Sequence, residues 1–212
     1  MTELPLKTRM KQADINRLYS IFHRINKASQ LSGLRYWICA GTALGAVRHG
    51  GLIPWDDDGD IYMIESEFHA TALLFYRALN IYGLHMSPHI IEGEPSDSWF
   101  KIYDEVSRFP NVDVFLLKSM WGRWRLADPI ARKIWKNEYL LPEEIAVTHL
   151  VQFGPLRLPI FNYADRYFSR SYGADWATTY YEGWDHENEK PREKKKVPLL
   201  DRRPALPTIE FV

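Results

Sequence analysis

The spacing of apolar residues predicts two long helices in the first 80 residues. Within residues 6–31, apolar side chains recur every three or four positions, as in a helix with one buried face, at Ile15, Leu18, Phe22 and Ile25. The segment Glu65–Asn80 repeats this spacing with Phe68, Ala72, Phe75 and Leu79. Both segments are therefore expected to pack one side against a core.

Runs of aromatic and β-branched residues, bounded by glycine, proline or charged residues, predict strands between these helices and after them. The runs are Arg35–Cys39, Asp58–Ile64, Leu84–Ile91, Ser98–Asp104 and Asn111–Leu117. Further along, Thr148–Phe153 and Leu156–Phe161 flank a Gly-Pro pair and predict a hairpin. The chain therefore mixes helices and strands without an internal repeat.

Two shorter helices are predicted from residues that begin and end helices. Thr42 is expected to cap a helix that runs to His49, and Asn162 is expected to cap one that runs to Tyr172 and stops at Gly173. The Trp- and Arg-rich stretch 121–135 follows neither a helical nor an extended pattern and stays unassigned.

Composition limits the classes of protein that this sequence can represent. Its 212 residues, 46% of them hydrophobic, are enough for one compact domain but not for two independent ones. We expect this domain over residues 1–181, with a charged, Pro-rich tail over 182–212 that wraps around it.

Charge, cysteine content and hydropathy exclude further classes. The 27 basic and 27 acidic residues balance, which argues against a dedicated nucleic-acid binder. A single cysteine excludes an intrachain disulfide and a four-thiolate zinc site. No run is long and apolar enough for a membrane span or a signal peptide, so a cytoplasmic protein is expected.

An acidic motif carries the strongest chemical signal in the sequence. Residues 54–60 read Pro-Trp-Asp-Asp-Asp-Gly-Asp, with four acids within five positions. Such acids repel one another unless a cation or strong donors compensate. In an extended segment Asp58 and Asp60 share a face with their Cα atoms roughly 6.6 Å apart, so they can converge on one ion. Oxygen ligands of this kind favour Mg²⁺ or Mn²⁺.

Residues before this motif have the features of a phosphate site. Gly41 lets the backbone approach a ligand closely, and the helix expected at Thr42 directs free amides and a positive dipole end outward. Arg48 and His49 can add charge to the same anion, and Trp55 can stack on a sugar or base, although packing is the more common role of such a residue.

Two charged residues within later strands are candidates for the same site. Asp113 lies between apolar residues in Asn111–Leu117, where a carboxylate is usually paired or functional. Lys101 has a similar setting and can bind a phosphate as a point charge. A solvated acidic turn and a calcium loop remain as alternatives for the motif, although the calcium loop lacks its glycine because Ile61 stands at that position.

These motifs resemble the signature of the LicD family, which includes fukutin-related proteins and lies within the nucleotidyltransferase-fold superfamily. The resemblance rests on Gly41-Thr42, on Leu44–His49 and above all on Ile53–Asp60. It extends to Phe100–Ile102, Val112–Phe115, Leu158-Pro159 and Tyr172–Trp176 in the same order. In this chain, Gly59 stands where the family usually has an apolar residue.

The resemblance implies an α+β fold with a nucleotidyltransferase-like central mixed sheet flanked by helices. It also implies a metal-dependent transfer of a phospho-alcohol from a CDP-linked donor to a glycan hydroxyl, with release of CMP. Asp58, Asp60 and Asp113 would hold the metal. A nucleotidyltransferase that uses a nucleoside triphosphate, and a catalytically silent glycan- or nucleotide-binding module, remain open alternatives.

Overall fold

The computed structural model of the protein describes the backbone of residues 10–185 and 190–211 and the side chains in these ranges except those of 181–195. The helices are α1 (Gln12–Ser32), α2 (Ala40–His49), α3 (Glu65–Ile81), α4 (Pro129–Ile134), α5 (Pro142–Ile145) and α6 (Ala164–Tyr172). The strands are β1 (Trp37–Ile38), β2 (Gly59–Ile64), β3 (Leu84–Ile91), β4 (Glu94–Asp104), β5 (Val112–Met120), β6 (Arg123–Leu126), β7 (Tyr139–Leu140), β8 (Thr148–Phe153), β9 (Leu156–Phe161), β10 (Thr179–Asp185) and β11 (Lys190–Pro198).

A mixed sheet in the order β1-β2-β5-β4-β3 forms the centre of the described chain. Strands β2 and β5 are parallel, and the other neighbours in this order are antiparallel. Strand β6 continues the sheet beside the second half of β5, and β7 pairs with β6. The expectation of an α+β fold with a mixed sheet flanked by helices is therefore confirmed.

Helices α1 and α3 cover one face of this sheet. Phe22 of α1 packs so closely on Gly59 that a β-carbon built there would lie 2.5 Å from the Phe22 ring. Phe68 of α3 stacks near Phe100 of β4, with ring centroids 5.2 Å apart. Successive strand residues face opposite sides, so Asp60, next to Gly59, faces away from α1. The glycine in the acidic motif is thus explained by the packing of Phe22.

The predicted helices begin at other residues than expected. Helix α2 starts at Ala40, two positions before Thr42, and its N-cap Cys39 makes no side-chain capping bond. The predicted Thr42 cap is therefore wrong, as is the Asn162 cap, because α6 starts at Ala164 with Tyr163 at the N-cap. The predicted stop at Gly173 is confirmed, since Gly173 is the C-cap of α6.

The stretch left unassigned by the sequence contains a tight hairpin followed by a helix. Trp121 and Gly122 both have positive φ, 52° and 71°, and join β5 to β6 as a two-residue turn. Asp128 then caps α4 by accepting bonds of 2.8 Å from the amides of Ile130 and Ala131. The turn needs a positive φ at a tryptophan, which hydrophobic patterning does not predict.

Residues near the chain end return to the first half of the domain. The Ala205 amide donates a hydrogen bond of 2.9 Å to the Leu52 carbonyl, and the Ala205 carbonyl accepts one of 2.9 Å from the Tyr19 hydroxyl. This contact fixes the loop that leads into the acidic motif. None of the described helices combines the length and apolar character that crossing a membrane requires.

Candidate active site

Three carboxylates converge on the sheet face that α1 and α3 leave uncovered. Asp60 of β2 pairs in register with Asp113 of the parallel neighbour β5, and Asp58 immediately precedes β2. One oxygen of each carboxylate lies within 4.8 Å of the others. Asp113 is buried, whereas Asp58 and Asp60 are partly exposed. The structure thus brings together the three acids that the sequence singles out.

Backbone contacts on both sides hold Asp60 in place. The Thr42 hydroxyl of α2 accepts a hydrogen bond of 2.8 Å from the Asp60 amide, and the Asp60 carbonyl accepts one of 3.1 Å from the Cys39 amide. The preceding Gly59 amide donates to Asn111 across the sheet at 3.0 Å. Thr42 therefore holds the acidic strand through its hydroxyl group and does not cap its own helix as predicted.

The local electrostatics favour an added positive charge. Burial, together with repulsion from Asp58, Asp56 and Asp113, raises the pKa of Asp60 well above its usual range. Burial also raises the pKa of Asp113 to about 6, although Lys101 opposes this shift. Like charges held this close cost free energy unless a cation joins them.

Lys101 supplies one positive charge at the edge of the cluster. It lies on β4 directly opposite Asp113, and its Nζ is 3.0 Å from Asp113 Oδ1. The same Nζ lies 3.4 Å from Asn111 Oδ1. One lysine offsets only part of the charge of three carboxylates.

A fourth acid, Asp56, faces the start of α2. A β-carbon built at Gly41 would overlap Asp56 Oδ2 and lie 3.5 Å from Asp60 Oδ2. Gly41 is therefore the residue that allows the acidic motif to approach the helix. The positive end of the helix dipole favours a carboxylate at this position. The helix start that the sequence assigns to phosphate is thus lined by Asp56.

A hydrogen-bonded network lies beside the acids. Glu138 accepts a bond of 2.6 Å from the Tyr62 hydroxyl and a second bond from Tyr167. The Tyr167 hydroxyl also accepts the Ala40 amide at 3.1 Å, where Ala40 has a φ of 41°. Burial raises the pKa of Glu138. The network therefore fixes the unusual first residue of α2.

The other predicted ligand-binding residues lie further along α2 and the following loop. The Arg48 guanidinium donates bonds of 3.0 Å to the Trp176 and Thr179 carbonyls. Burial lowers the pKa of Arg48 to about 10 and, with the charge of Arg48, lowers that of His49 to about 4. The Trp55 ring packs edge-on to His49 at 5.9 Å. In the structure these side chains hold the loop and the C-terminal part together, and their contact with a substrate stays a prediction.

The donor set suits a hard divalent cation. Three carboxylates from two neighbouring strands supply oxygen atoms, which are the ligands that Mg²⁺ and Mn²⁺ prefer. Because burial raises the pKa of Asp60 and of Asp113, a bound cation would stabilise the charged forms of both carboxylates. The residues present therefore fit a Mg²⁺ or Mn²⁺ ion.

The same sequence matches a known family. Residues 33–162 match the family model described as LicD/FKTN/FKRP, nucleotidyltransferase domain. The chain belongs to the LicD family. The matched range runs from the residues before β1 to the end of β9, and so contains all four acids and Lys101.

Several curated proteins share parts of this LicD-family sequence. The lipopolysaccharide cholinephosphotransferase LicD of Haemophilus influenzae is 38% identical over 137 residues, 60% of this chain and 51% of that protein. An uncharacterized protein of Rickettsia typhi, RT0683, is 35% identical over 97 residues, 45% and 31% of the two chains. The human ribitol 5-phosphate transferase FKRP is 53% identical over 32 residues, 15% and 6%. The chain thus spans about half or less of the length of these relatives.

Sequence reasoning missed the residues that support the acids. Asp56 belongs to the conspicuous motif, but its position beside Gly41 depends on the docking of α2. Glu138 and Tyr167 lie far from the motif along the chain and have no spacing that marks them. Only the pairing of strands and helices brings them beside Asp60.

Proposed function

We propose that this LicD-family protein is a metal-dependent transferase that moves a phospho-alcohol from a CDP-linked donor to a glycan hydroxyl and releases CMP. The observation that carries the proposal is the convergence of Asp58, Asp60 and Asp113 to within 4.8 Å. The names of two relatives, a cholinephosphotransferase and a ribitol 5-phosphate transferase, support transfer of a phosphorylated alcohol.

We also propose that the domain has the nucleotidyltransferase fold. The family description names such a domain, and the mixed sheet carries the acids on paired neighbouring strands. This arrangement suits phosphoryl transfer because it places several carboxylates on one rigid surface.

In this proposal Asp58, Asp60 and Asp113 hold a Mg²⁺ or Mn²⁺ ion, which when bound neutralises charge on the donor pyrophosphate. The protein positions these acids through the Thr42 bond to the Asp60 amide and through the pairing of β2 with β5. In this proposal the donor lies next to these acids and near the start of α2, where Gly41 lies beside Asp56 and Asp60. Preorganised carboxylates reduce the reorganisation needed at the moment of reaction.

The chemical step is an in-line displacement at phosphorus. The acceptor hydroxyl oxygen forms a bond to the phosphorus that bears the alcohol, and the bond from this phosphorus to the oxygen of CMP breaks. The hydroxyl proton passes to a carboxylate, either Asp113 or a nearby acid, and CMP leaves with the bonding electron pair. Among the nearby acids, Asp56 lies closest to the start of α2.

A panel of donors tests the proposal. The protein is incubated with a mixture of glycan acceptors and with CDP-choline, CDP-ribitol, nucleoside triphosphates or nucleotide sugars, with and without Mn²⁺, and released CMP, CDP and pyrophosphate are measured by mass spectrometry. We expect CMP from a CDP-alcohol only with the metal. Asp58→Asn is expected to lose activity by about 1,000-fold, as is typical when a metal ligand of a transferase is removed.

The matched control is Asp97→Asn, because Asp97 is exposed on β4 and away from the acids. Release of pyrophosphate from a nucleoside triphosphate would instead identify a nucleotidyltransferase. Metal-independent glycan binding with no released product would identify a binding module. Either result contradicts the proposed reaction.

A further inference from the structure

A cavity of about 200 Å³ opens on the sheet beside the candidate metal site. It lies over β3, β4 and the loop after β4, and its lining includes Ser87, His89, Ile90, Lys101, Tyr103 and Arg108. Pockets for drug-sized ligands occupy roughly 300–1,000 Å³, so this cavity suits a smaller group such as one sugar or one phosphate.

The strand register connects the cavity to the acids. Ser87 of β3 pairs with Lys101 of β4, Lys101 pairs with Asp113 of β5, and Asp113 pairs with Asp60 of β2. Paired residues project to the same face of a sheet. With strands about 4.8 Å apart, Ser87 lies about 10 Å from Asp113 at Cα. The cavity and the acids therefore form one continuous row across the same face of the sheet.

Two cationic side chains give the cavity its charge. Lys101 lies on the boundary, 3.0 Å from Asp113, and so belongs to both the cavity and the acidic site. Arg108 lies with its guanidinium carbon 5.3 Å from the centre of the Tyr103 ring. Among the side chains that the structure describes, no carboxylate forms an ion pair with Arg108. The lining thus offers positive charge and a hydroxyl next to aromatic surface.

This lining discriminates between ligand classes. A phosphate or carboxylate can accept bonds from the Arg108 guanidinium and the Ser87 hydroxyl. The Tyr103 and His89 rings can contact the apolar face of a sugar ring. A quaternary ammonium such as choline is disfavoured beside Arg108, because the guanidinium repels it and the Lys101 charge is already paired with Asp113.

We infer that the cavity binds an anionic group carried by a sugar, either a phosphate or a carboxylate, and that it is the subsite for an acidic glycan acceptor. This inference rests on the proposed function, since the acceptor hydroxyl must reach a donor held at Asp58, Asp60 and Asp113. Arg108 is then a residue that determines acceptor specificity.

Isothermal titration of the full chain tests this inference with defined probes: glucose 6-phosphate, glucuronate, glucose, choline and CMP. We expect one or both acidic sugars to bind, with glucose and choline at least tenfold weaker. The two acidic probes distinguish a phosphate from a carboxylate as the recognised group. Arg108→Gln should weaken the acidic sugars about tenfold, as the loss of one charge-assisted hydrogen bond predicts.

The matched control is Arg77→Gln, which removes the same charge from an exposed position on α3. This variant should bind the acidic sugars like the unmodified protein. Titration with Mn²⁺ reports separately on the acids and should be unchanged in Arg108→Gln. Loss of acidic-sugar affinity with intact Mn²⁺ binding would therefore support the inference.

Other outcomes overturn it. Equal binding of glucose and glucose 6-phosphate, or stronger binding of choline, would show that charge does not select the ligand. A loss of CMP affinity in Arg108→Gln, with acidic sugars unaffected, would assign the cavity to the donor. If Mn²⁺ fails to bind while acidic sugars bind through Arg108, the proposed metal-dependent reaction fails but the anionic subsite remains.

Discussion

Buried aspartates near the two ends of the β4–β5 connection have opposite environments. Asp104, at the end of β4, accepts bonds from the Arg17 guanidinium at 2.5 and 3.0 Å and from the amides of Val106 and Ser107. Asp113, in β5, faces other carboxylates and has Lys101 as an ion-pair partner. Burial would raise the pKa of Asp104, but the bonds from Arg17 and the backbone lower it below its usual value. The pKa of Asp113 is raised to about 6.

The difference separates a carboxylate whose charge the protein compensates from carboxylates whose arrangement supports the proposed metal site. Around Asp104 the protein supplies enough donors to compensate the charge. Around Asp58, Asp60 and Asp113 the pairing of β2 with β5 brings negative charges together, and Lys101 compensates part of this charge. Because the repulsion between these carboxylates costs free energy, a cation bound among them would stabilise the protein.

The largest expected effect on stability comes from breaking the ion pair between Arg17 and Asp104. Asp104→Asn should lower the free energy of unfolding by about 3 kcal/mol, because it leaves Arg17 without its charged partner in a mostly buried setting. Urea denaturation at pH 7 measures this change. Asp97→Asn, an exposed change of the same kind on the same strand, should shift stability by less than about 0.5 kcal/mol. Equal stability of the two variants would contradict the assigned role of Asp104.

The pH dependence of stability should differ between the two aspartates. In the folded, metal-free protein Asp113 keeps its proton up to about pH 6, whereas in the unfolded chain it releases it near pH 4. Its protonated form thus stabilises the fold fully below about pH 4, and this contribution is lost as the pH rises to about 6. The loss amounts to about 2 kcal/mol.

Urea unfolding in EDTA from pH 4 to pH 7 measures this contribution. Compared with Asp113→Asn, the unmodified protein should lose stability across this range. Asp104 contributes in the opposite direction because its pKa is lower in the folded protein than in the unfolded chain. Its charged form stabilises the fold above about pH 4, and this contribution is lost as the pH falls further. If the stability of the unmodified protein and that of Asp113→Asn changed equally with pH, burial would not raise the pKa of Asp113.

Two glycines test how closely the acids must pack. Gly41→Ala should weaken Mn²⁺ binding about tenfold, because the added methyl group displaces the Asp56 side chain beside the acids. Its stability should change by less than 1 kcal/mol, since a side chain can move and alanine favours the helix. Gly45→Ala in the same helix meets the Gly51 carbonyl at 2.6 Å, so it should destabilise the fold without this specific effect on the metal. Isothermal titration and urea denaturation separate the two outcomes.

The smallest expected effect is a gain in stability. Asp60→Asn replaces a carboxyl group whose ionisation burial and the neighbouring acids make costly, so it should raise the free energy of unfolding of the metal-free protein at pH 7 by about 0.5–1 kcal/mol. The same variant should lose the stabilisation that Mn²⁺ gives to the unmodified protein. Thermal melts with EDTA and with Mn²⁺ measure both changes. A less stable metal-free variant would mean that Asp60 is satisfied by the protein itself.

The sequence predicts most elements of the fold because apolar spacing reports which face is buried. Helix α3 and the strands β2 to β5 lie within four residues of their predicted positions. Helix α1 begins at Gln12, six residues after its predicted start, and residues 6–9 of the predicted range lie outside the residues that the structure describes. Helix starts are less predictable, because a residue suited to capping can bond elsewhere. The Thr42 hydroxyl accepts a hydrogen bond from the Asp60 amide and does not cap its own helix. The Trp121-Gly122 turn has positive φ at both residues, and its tryptophan is not a typical turn residue.

The candidate site is only partly readable from the chain. Asp58 and Asp60 are marked by their crowding, and Asp113 by a charge within an apolar strand. The contacts of Arg48 with the Trp176 and Thr179 carbonyls depend on how the C-terminal part folds back, and no local pattern encodes them. The roles of residues that act through contacts distant in sequence can therefore be identified only from the structure.

The parallel pairing of β2 with β5 has a consequence for how this protein acquires its site. Asp60 and Asp113 are more than 50 positions apart in the sequence, and α3, β3 and β4 form the chain between them. Such non-local pairing forms late compared with helices, because a long loop must close first. A nascent chain that ends before β5 lacks the third acid, so Mn²⁺ binding at the proposed site would report completed sheet assembly during refolding.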